Sequence, residues 1–104
     1  VFIINNQYLG MVRQWQELFY NRRYSAVYLA NPDFARLAEA VGAAGIRVER
    51  PDQVEPAIRQ ALAVTDRPVV VDLLVDPEEN CFPMIPSGMT VFDMMIEPGV
   101  KAVP

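Results

Sequence analysis

A chain of 104 residues, 52% of them hydrophobic and 21% charged, has the length and composition of one soluble globular domain rather than of a disordered, collagen-like or coiled-coil protein. Nine basic against thirteen acidic residues leave a net charge of −4, and the cations are scattered, which argues against a nucleic-acid partner. With no histidine and a single cysteine, Cys81, the chain excludes a Ser-His or Cys-His nucleophile pair, a His-ligated metal, an internal disulfide and a cysteine-bound zinc, and it suits a reducing compartment.

Val1–Ile4 is an apolar, β-branched run stopped by Asn5-Asn6, which predicts a strand buried on both faces and ending in a turn. Because Val1 is not a methionine and lies inside that strand, the chain reads as a piece of a longer protein. The run is too short for a signal peptide and lacks a basic leader, and no apolar stretch approaches the about 20 residues of a membrane span, so no membrane partner is expected. From Leu9 to Tyr20, Leu9, Met11, Val12, Trp15, Leu18 and Phe19 recur at helical spacing, with Arg13, Gln14, Gln16 and Glu17 on the other side. An amphipathic helix that buries its apolar stripe is predicted.

After an aperiodic, tyrosine-bearing connection, Asn31-Pro32 reads as the cap and first position of a second helix, whose buried stripe is Phe34, Leu37, Ala38 and Val41, ended by Gly42. Gly45–Val48 is a short strand. Asp52, with Glu55 three residues on, reads as the cap of a third helix that turns Val54, Ile58, Ala61 and Leu62 inward. Pro68 opens the aliphatic strand Val69–Val75, in which only Asp72 is polar, as a capping or paired group. This order implies right-handed crossovers and an α/β fold: a parallel sheet with flanking helices, the second half of a doubly wound domain. From Pro77 on, Pro83, Pro86, Pro98 and Pro104 alternate with methionines, which predicts an irregular tail that must pack on something.

Ligands of open parallel sheets bind at the carboxyl ends of the strands, and the first such end carries Asn5-Asn6-Gln7-Tyr8-Leu9-Gly10-Met11. A side-chain oxygen and a backbone carbonyl two residues apart can supply two hard ligands to Mg²⁺, with water and phosphate completing its shell. On spacing alone the commoner outcome is an ordinary turn whose amides cap backbone groups.

The run Ile4-Asn5-Asn6-Gln7-Tyr8-Leu9-Gly10-Met11-Val12-Arg13-Gln14-Trp15-Gln16-Glu17-Leu18-Phe19-Tyr20, with Asn31-Pro32-Asp33-Phe34 and Pro83-Met84-Ile85-Pro86-Ser87-Gly88, resembles the large, catalytic subunits of the acetolactate synthase family. The double asparagine is shared by many thiamin diphosphate enzymes, whereas Gly-Met-Val-Arg-Gln-Trp-Gln and Met-Ile-Pro-Ser-Gly are more particular. The resemblance implies the carboxyl-terminal part of a thiamin-diphosphate-binding domain over residues 1–76, and a tail over 77–104 that packs over the active site.

It further implies that the Asn6 side chain and the Tyr8 carbonyl hold Mg²⁺ against the cofactor diphosphate, and that Leu9, Gly10 and Met11 lie against the cofactor. Met11 and Trp15 would line the pocket of the second 2-ketoacid, Trp15 would also meet herbicidal inhibitors, and Ser87 and Gly88 would belong to a lid. The implied reaction decarboxylates pyruvate and joins the remainder to pyruvate or 2-ketobutyrate, toward branched-chain amino acids. FAD is expected largely on another domain, and the partners are a homodimer or homotetramer of the catalytic subunit and a regulatory small subunit.

The family's Gly-Asp-Gly metal motif and its activating glutamate are not in this chain, so the segment alone is not expected to turn over. The compartment would be the cytoplasm in a bacterium, and a plastid or mitochondrion in a eukaryote. A related thiamin diphosphate decarboxylase or carboligase, and a noncatalytic α/β oligomerisation module, are the alternatives.

Overall fold

The structure, a computed structural model, describes residues 1–101; Ala102, Val103 and Pro104, the end of the expected tail, lie outside the described residues. The chain folds as two compact units, one made of Val1–Tyr8 with Tyr28–Pro77, the other of Leu9–Val27 with the segment from Glu78 onward.

The first unit holds strands β1 (Phe2–Asn5), β2 (Ala44–Val48) and β3 (Val69–Leu74), paired in the order β1-β3-β2 and all parallel. This is the expected parallel sheet with flanking helices, and alternation along the strands assigns each helix its face. Ile46, Val48, Val69, Val71 and Leu73 share one face and pack with Val54, Ala57 and Ala61 of the helix Val54–Ala63. Gly45 faces the other way, toward Ala35 of the helix Phe34–Ala40. The two helices, α3 and α2 in chain order, therefore cover opposite faces.

Local burial and capping depart from the sequence expectation at β1 and α2. The first strand is not buried on both faces: β1 is an edge, and Phe2 and Ile4 point to the face that α3 covers only over β2 and β3, which leaves Ile4 67% exposed. The α2 cap is Asp33, whose Oδ1 accepts the Arg36 N–H at 3.0 Å, and not Asn31, whose amide is committed elsewhere. The buried side of α2 is Ala35 and Ala38, whereas Leu37 and Val41 face out. Helix and sheet approach so closely at Gly45 that only small side chains fit between them.

Ahead of α3, Pro51–Gln53 forms a 3₁₀ turn in which Gln53 Oε1 accepts the N–H groups of Glu49 and Arg50 at 2.9 and 3.0 Å. The expected Asp52 and Glu55 caps are instead engaged by Arg50 and Arg59. In α3 it is Ala57 that is buried, while Ile58 and Leu62 are exposed.

The second unit holds α1 (Gly10–Phe19) and a tail less irregular than expected, with a 3₁₀ turn at Val91–Asp93 and an antiparallel pair, β4 (Met95–Glu97) and β5 (Val100–Lys101). Met84 and Met95 exchange two backbone hydrogen bonds of 2.9 and 2.8 Å. Lys101 Nζ lies 2.7 Å from Asp93 Oδ1, and with the Thr90 N–H and hydroxyl it draws the Asp93 carboxyl down to about 2.

A depressed carboxyl contributes stability that is complete above its ordinary value near 4 and is lost as pH falls through about 2. A carboxyl-carbon NMR titration should place the Asp93 midpoint well below the ordinary value and show it rising in Lys101→Met. An ordinary midpoint in the unaltered protein would count against the ion pair.

Candidate functional site

The segment after β1 is a tight polar loop made from its own side chains. Asn5 Oδ1 accepts the Gln7 N–H at 3.2 Å and Asn6 Oδ1 accepts the Tyr8 N–H at 3.1 Å, two overlapping turns of the kind asparagine forms with the backbone two residues on. Between them Gln7 adopts φ 59°, a left-handed conformation unusual for a residue with a Cβ. The Gln7 carbonyl accepts the Leu29 N–H at 2.8 Å, and Tyr8 pairs with Tyr28 in an antiparallel bridge, their rings 5.7 Å apart and edge to face. In such a non-hydrogen-bonded rung the backbone groups of each residue point away from the other strand. The Tyr8 carbonyl is thus directed to the side on which its N–H meets Asn6.

Beside this loop lies a cleft of about 140 Å³ lined by Asn5, Asn6, Gln7, Leu74, Val75 and Pro77, at the carboxyl ends of β1 and β3. The loop contributes an amide oxygen and a peptide carbonyl, both hard and neutral. Among the described residues no group of three or more His, Cys, Asp or Glu could hold a metal ion. This donor set suits a hard cation such as Mg²⁺ whose charge is balanced by an anionic ligand, and it does not suit a soft one. Asn6 and Tyr8, the expected pair, are brought together in this first unit.

Leu9, Gly10, Met11 and Trp15 belong to the second unit. The Leu9 N–H donates to the Val27 carbonyl at 2.8 Å, and Leu9 precedes α1 without a side-chain cap. Gly10 opens the helix, and its first turn carries no acidic residue to compete for an anion there. Met11 and Trp15, one turn apart on one face, are each 48% exposed. Trp15, Phe19, Tyr20, Pro86, Ser87 and Met89 line a mostly apolar cleft of about 370 Å³. Ser87 and Gly88 are the middle of a β-turn closed by the Met89 N–H on the Pro86 carbonyl at 3.1 Å, where Gly88 takes φ 79°, as a glycine at that position can. The structure therefore brings Trp15 and Ser87 to one cleft; Met11 does not line it.

The burial of α1 is the reverse of the expectation from its periodicity. Arg13 and Gln14, placed on the solvent side by pattern, are the buried residues, and of the apolar stripe Leu9, Met11, Val12, Trp15 and Phe19 are exposed and Leu18 is half-buried. Their partners lie in the tail. Arg13 reaches the Glu78 carbonyl and Asn80 Oδ1 at 2.9 and 2.5 Å, and Gln14 exchanges two hydrogen bonds with the Cys81 backbone at 2.9 and 3.0 Å. Burial acts to raise the Glu17 carboxyl, but hydrogen bonds from Asn80, Arg13 and Arg22 outweigh it and hold it below its ordinary value. Arg13, Gln14 and Asn31 carried no sequence signal of these contacts. Asp72 did, as the lone charge in an aliphatic strand.

The family profile described as thiamine pyrophosphate enzyme, C-terminal TPP binding domain, matches residues 1–73. The chain is 44% identical over 97% of its length to an acetolactate synthase of Mycobacterium bovis, and 42% identical over 97% to the acetolactate synthase large subunit of Corynebacterium glutamicum. It is 36% identical over 92% of its length to a mitochondrial acetolactate synthase of Schizosaccharomyces pombe. The chain spans 17% of the length of the first two of these relatives and 14% of the third. Among the described residues no helix is long and apolar enough to cross a membrane.

Proposed function

The chain belongs to the thiamine pyrophosphate enzymes, as a C-terminal TPP-binding domain, and we propose that it serves as that part of an acetolactate synthase large subunit. In the whole protein the substrates are pyruvate and, as acceptor, a second pyruvate or 2-ketobutyrate, on the route to branched-chain amino acids. The observation that carries this reading is the loop at the carboxyl end of β1, where Asn6 Oδ1 and the Tyr8 backbone share one side of the chain next to a cleft.

When bound, thiamin diphosphate supplies the electron sink that lets a 2-ketoacid lose CO₂. The rest falls to the protein. Asn6 and the Tyr8 carbonyl would hold Mg²⁺ against the diphosphate, and Leu9, Gly10 and Met11 would back the cofactor. Trp15 and Met11 would present an apolar wall to the second ketoacid, and the Ser87-Gly88 turn would close the cleft that Trp15 lines and exclude water. FAD would sit largely on another domain. The partners are further catalytic subunits, as a homodimer or homotetramer, and a regulatory small subunit, in the cytoplasm of a bacterium or in a plastid or mitochondrion.

In the whole protein, Asn6→Ala should weaken Mg²⁺-dependent thiamin diphosphate binding, measured by calorimetry, by about tenfold or more. Equal affinity in the two proteins would remove the proposed ligand. Trp15→Leu should reduce the preference for 2-ketobutyrate over pyruvate, since one methylene against a broad apolar surface is worth about 1–3 kcal/mol. An unchanged product ratio in a competition assay would dismiss the wall.

A further inference from the structure

We propose that Asp72 is a positioning residue for the Asn5–Tyr8 loop: acting through the Asn5 side chain, it sets the loop in the shape that presents Asn6 and Tyr8 to a cation. The inference rests on the reading above that Asn6 is a metal ligand.

Asp72 is fully buried in the middle of β3, among residues that are otherwise aliphatic. Register pairs it with Arg47 of β2 and sets Asn5 opposite Leu74, so alternation places Asp72, Arg47 and Asn5 on the face that α2 covers. Its Oδ1 accepts from Asn5 Nδ2 at 3.0 Å, and its Oδ2 makes no hydrogen bond and lies 3.7 Å from Arg47 Nη1.

An aliphatic side chain would continue the strand without burying a charge. What a carboxylate adds is an acceptor that cannot turn into a donor. Facing it, the Asn5 amide has one satisfactory orientation, NH₂ toward Asp72 and oxygen outward. The outward oxygen takes the Gln7 N–H at 3.2 Å and Asn31 Nδ2 at 2.9 Å, and it thereby holds Gln7 in its left-handed conformation and sets the turn in which Asn6 Oδ1 meets the Tyr8 N–H. Asn5 is itself buried, so a wrong orientation would put its NH₂ against the Gln7 N–H with no water to separate the two donors.

The near-isosteric Asp72→Asn removes this constraint. With Arg47 nearby, the new amide turns its oxygen to the guanidinium and its NH₂ toward Asn5, and the Asn5 amide must flip. Asn5→Asp combined with Asp72→Asn restores the pattern with donor and acceptor exchanged, because a carboxylate at position 5 accepts from position 72, from Gln7 and from Asn31 alike.

The test is calorimetric thiamin diphosphate affinity as a function of Mg²⁺ concentration in the whole protein, together with the melting temperature of the cofactor-free protein. Asp72→Asn should weaken affinity about tenfold and raise the Mg²⁺ requirement, and the double exchange should recover both. Unchanged affinity in Asp72→Asn overturns the proposal, as does a double exchange that restores melting but not affinity. If Asp72→Asn does not fold, Asn31→Ala, which removes a bond to the same Asn5 oxygen, should weaken affinity about threefold, and no change there overturns it. Loss in Asn6→Ala with none in Asp72→Asn refutes the positioning role alone, whereas no loss in Asn6→Ala refutes the metal-ligand reading beneath it.

Discussion

Gly45→Ala is expected to cost about 3 kcal/mol or more and to abolish most of the soluble yield. A Cβ at this position would lie 2.1 Å from the Ala35 carbonyl oxygen and 2.7 Å from its carbon. These are backbone atoms of α2, so no rotamer change relieves the overlap. Either α2 lifts from the sheet, which opens the contact made by Ala35 and Ala38, or β2 shifts and strains its pairing with β3.

Gly42 gives the contrast. It has φ 84° and nothing within 4 Å of an added Cβ, so Gly42→Ala meets only backbone strain, about 1–2 kcal/mol. Thermal melting and yield of the whole protein carrying either change should rank Gly45→Ala far below Gly42→Ala. Equal melting temperatures would mean that α2 does not approach the sheet this closely.

The second large effect is expected at Arg13, which is 1% exposed. Its two terminal nitrogens do separate work: Nη1 pairs with Glu17 at 2.9 Å, and Nη2 takes the Glu78 carbonyl and Asn80 Oδ1. A planar guanidinium serves both groups at once, whereas a single ammonium cannot. Arg13→Met should cost about 3–5 kcal/mol, since the Glu78 carbonyl and Asn80 Oδ1 lose their donor and the largely buried Glu17 carboxylate keeps only Arg22 as a cation, and Arg13→Lys should recover only part of it.

The loss concentrates in the tail held by Arg13 and by the neighbouring Gln14, so amide exchange there is the direct readout. The Cys81 N–H, which donates to Gln14 Oε1, should lose protection in Arg13→Met and more so in Gln14→Leu. Protection unchanged in both would show that the tail is held by other contacts.

The elements themselves were largely legible. Val69–Leu74 stands out as an aliphatic run behind Pro68, Gly10–Phe19 as a 3.6-residue periodicity, and the parallel class follows from their alternation. The expected metal loop was legible as a position, because strand ends are where open sheets bind ligands. Its shape was not. The left-handed Gln7, the bond from Asn31 twenty-six positions away and the buried Asp72 behind Asn5 depend on partners that come together only when strands pair. The helix caps failed for a related reason: Asn31 and Asp52 are good capping residues by type, but each has a competing partner, Asn5 Oδ1 for one and Arg50 for the other.

Read alone, the order of residues determines what is periodic and what is chemically possible: which side chains share a helix face, where the chain can turn, and which donors and acceptors it carries. Within this chain it excludes histidine chemistry and an internal disulfide. Tertiary structure decides which face is covered. In α1 the stripe of Met11 and Trp15 is the exposed one, and Arg13 and Gln14 are buried, because the tail brings carbonyls and amides that those two side chains satisfy. In α2 the two alanines are the buried residues, and at Ala35 the helix backbone lies against Gly45, where a Cβ would not fit. Periodicity is a property of one segment, whereas burial is a property of a pair, and the second member of each pair lies far along the chain.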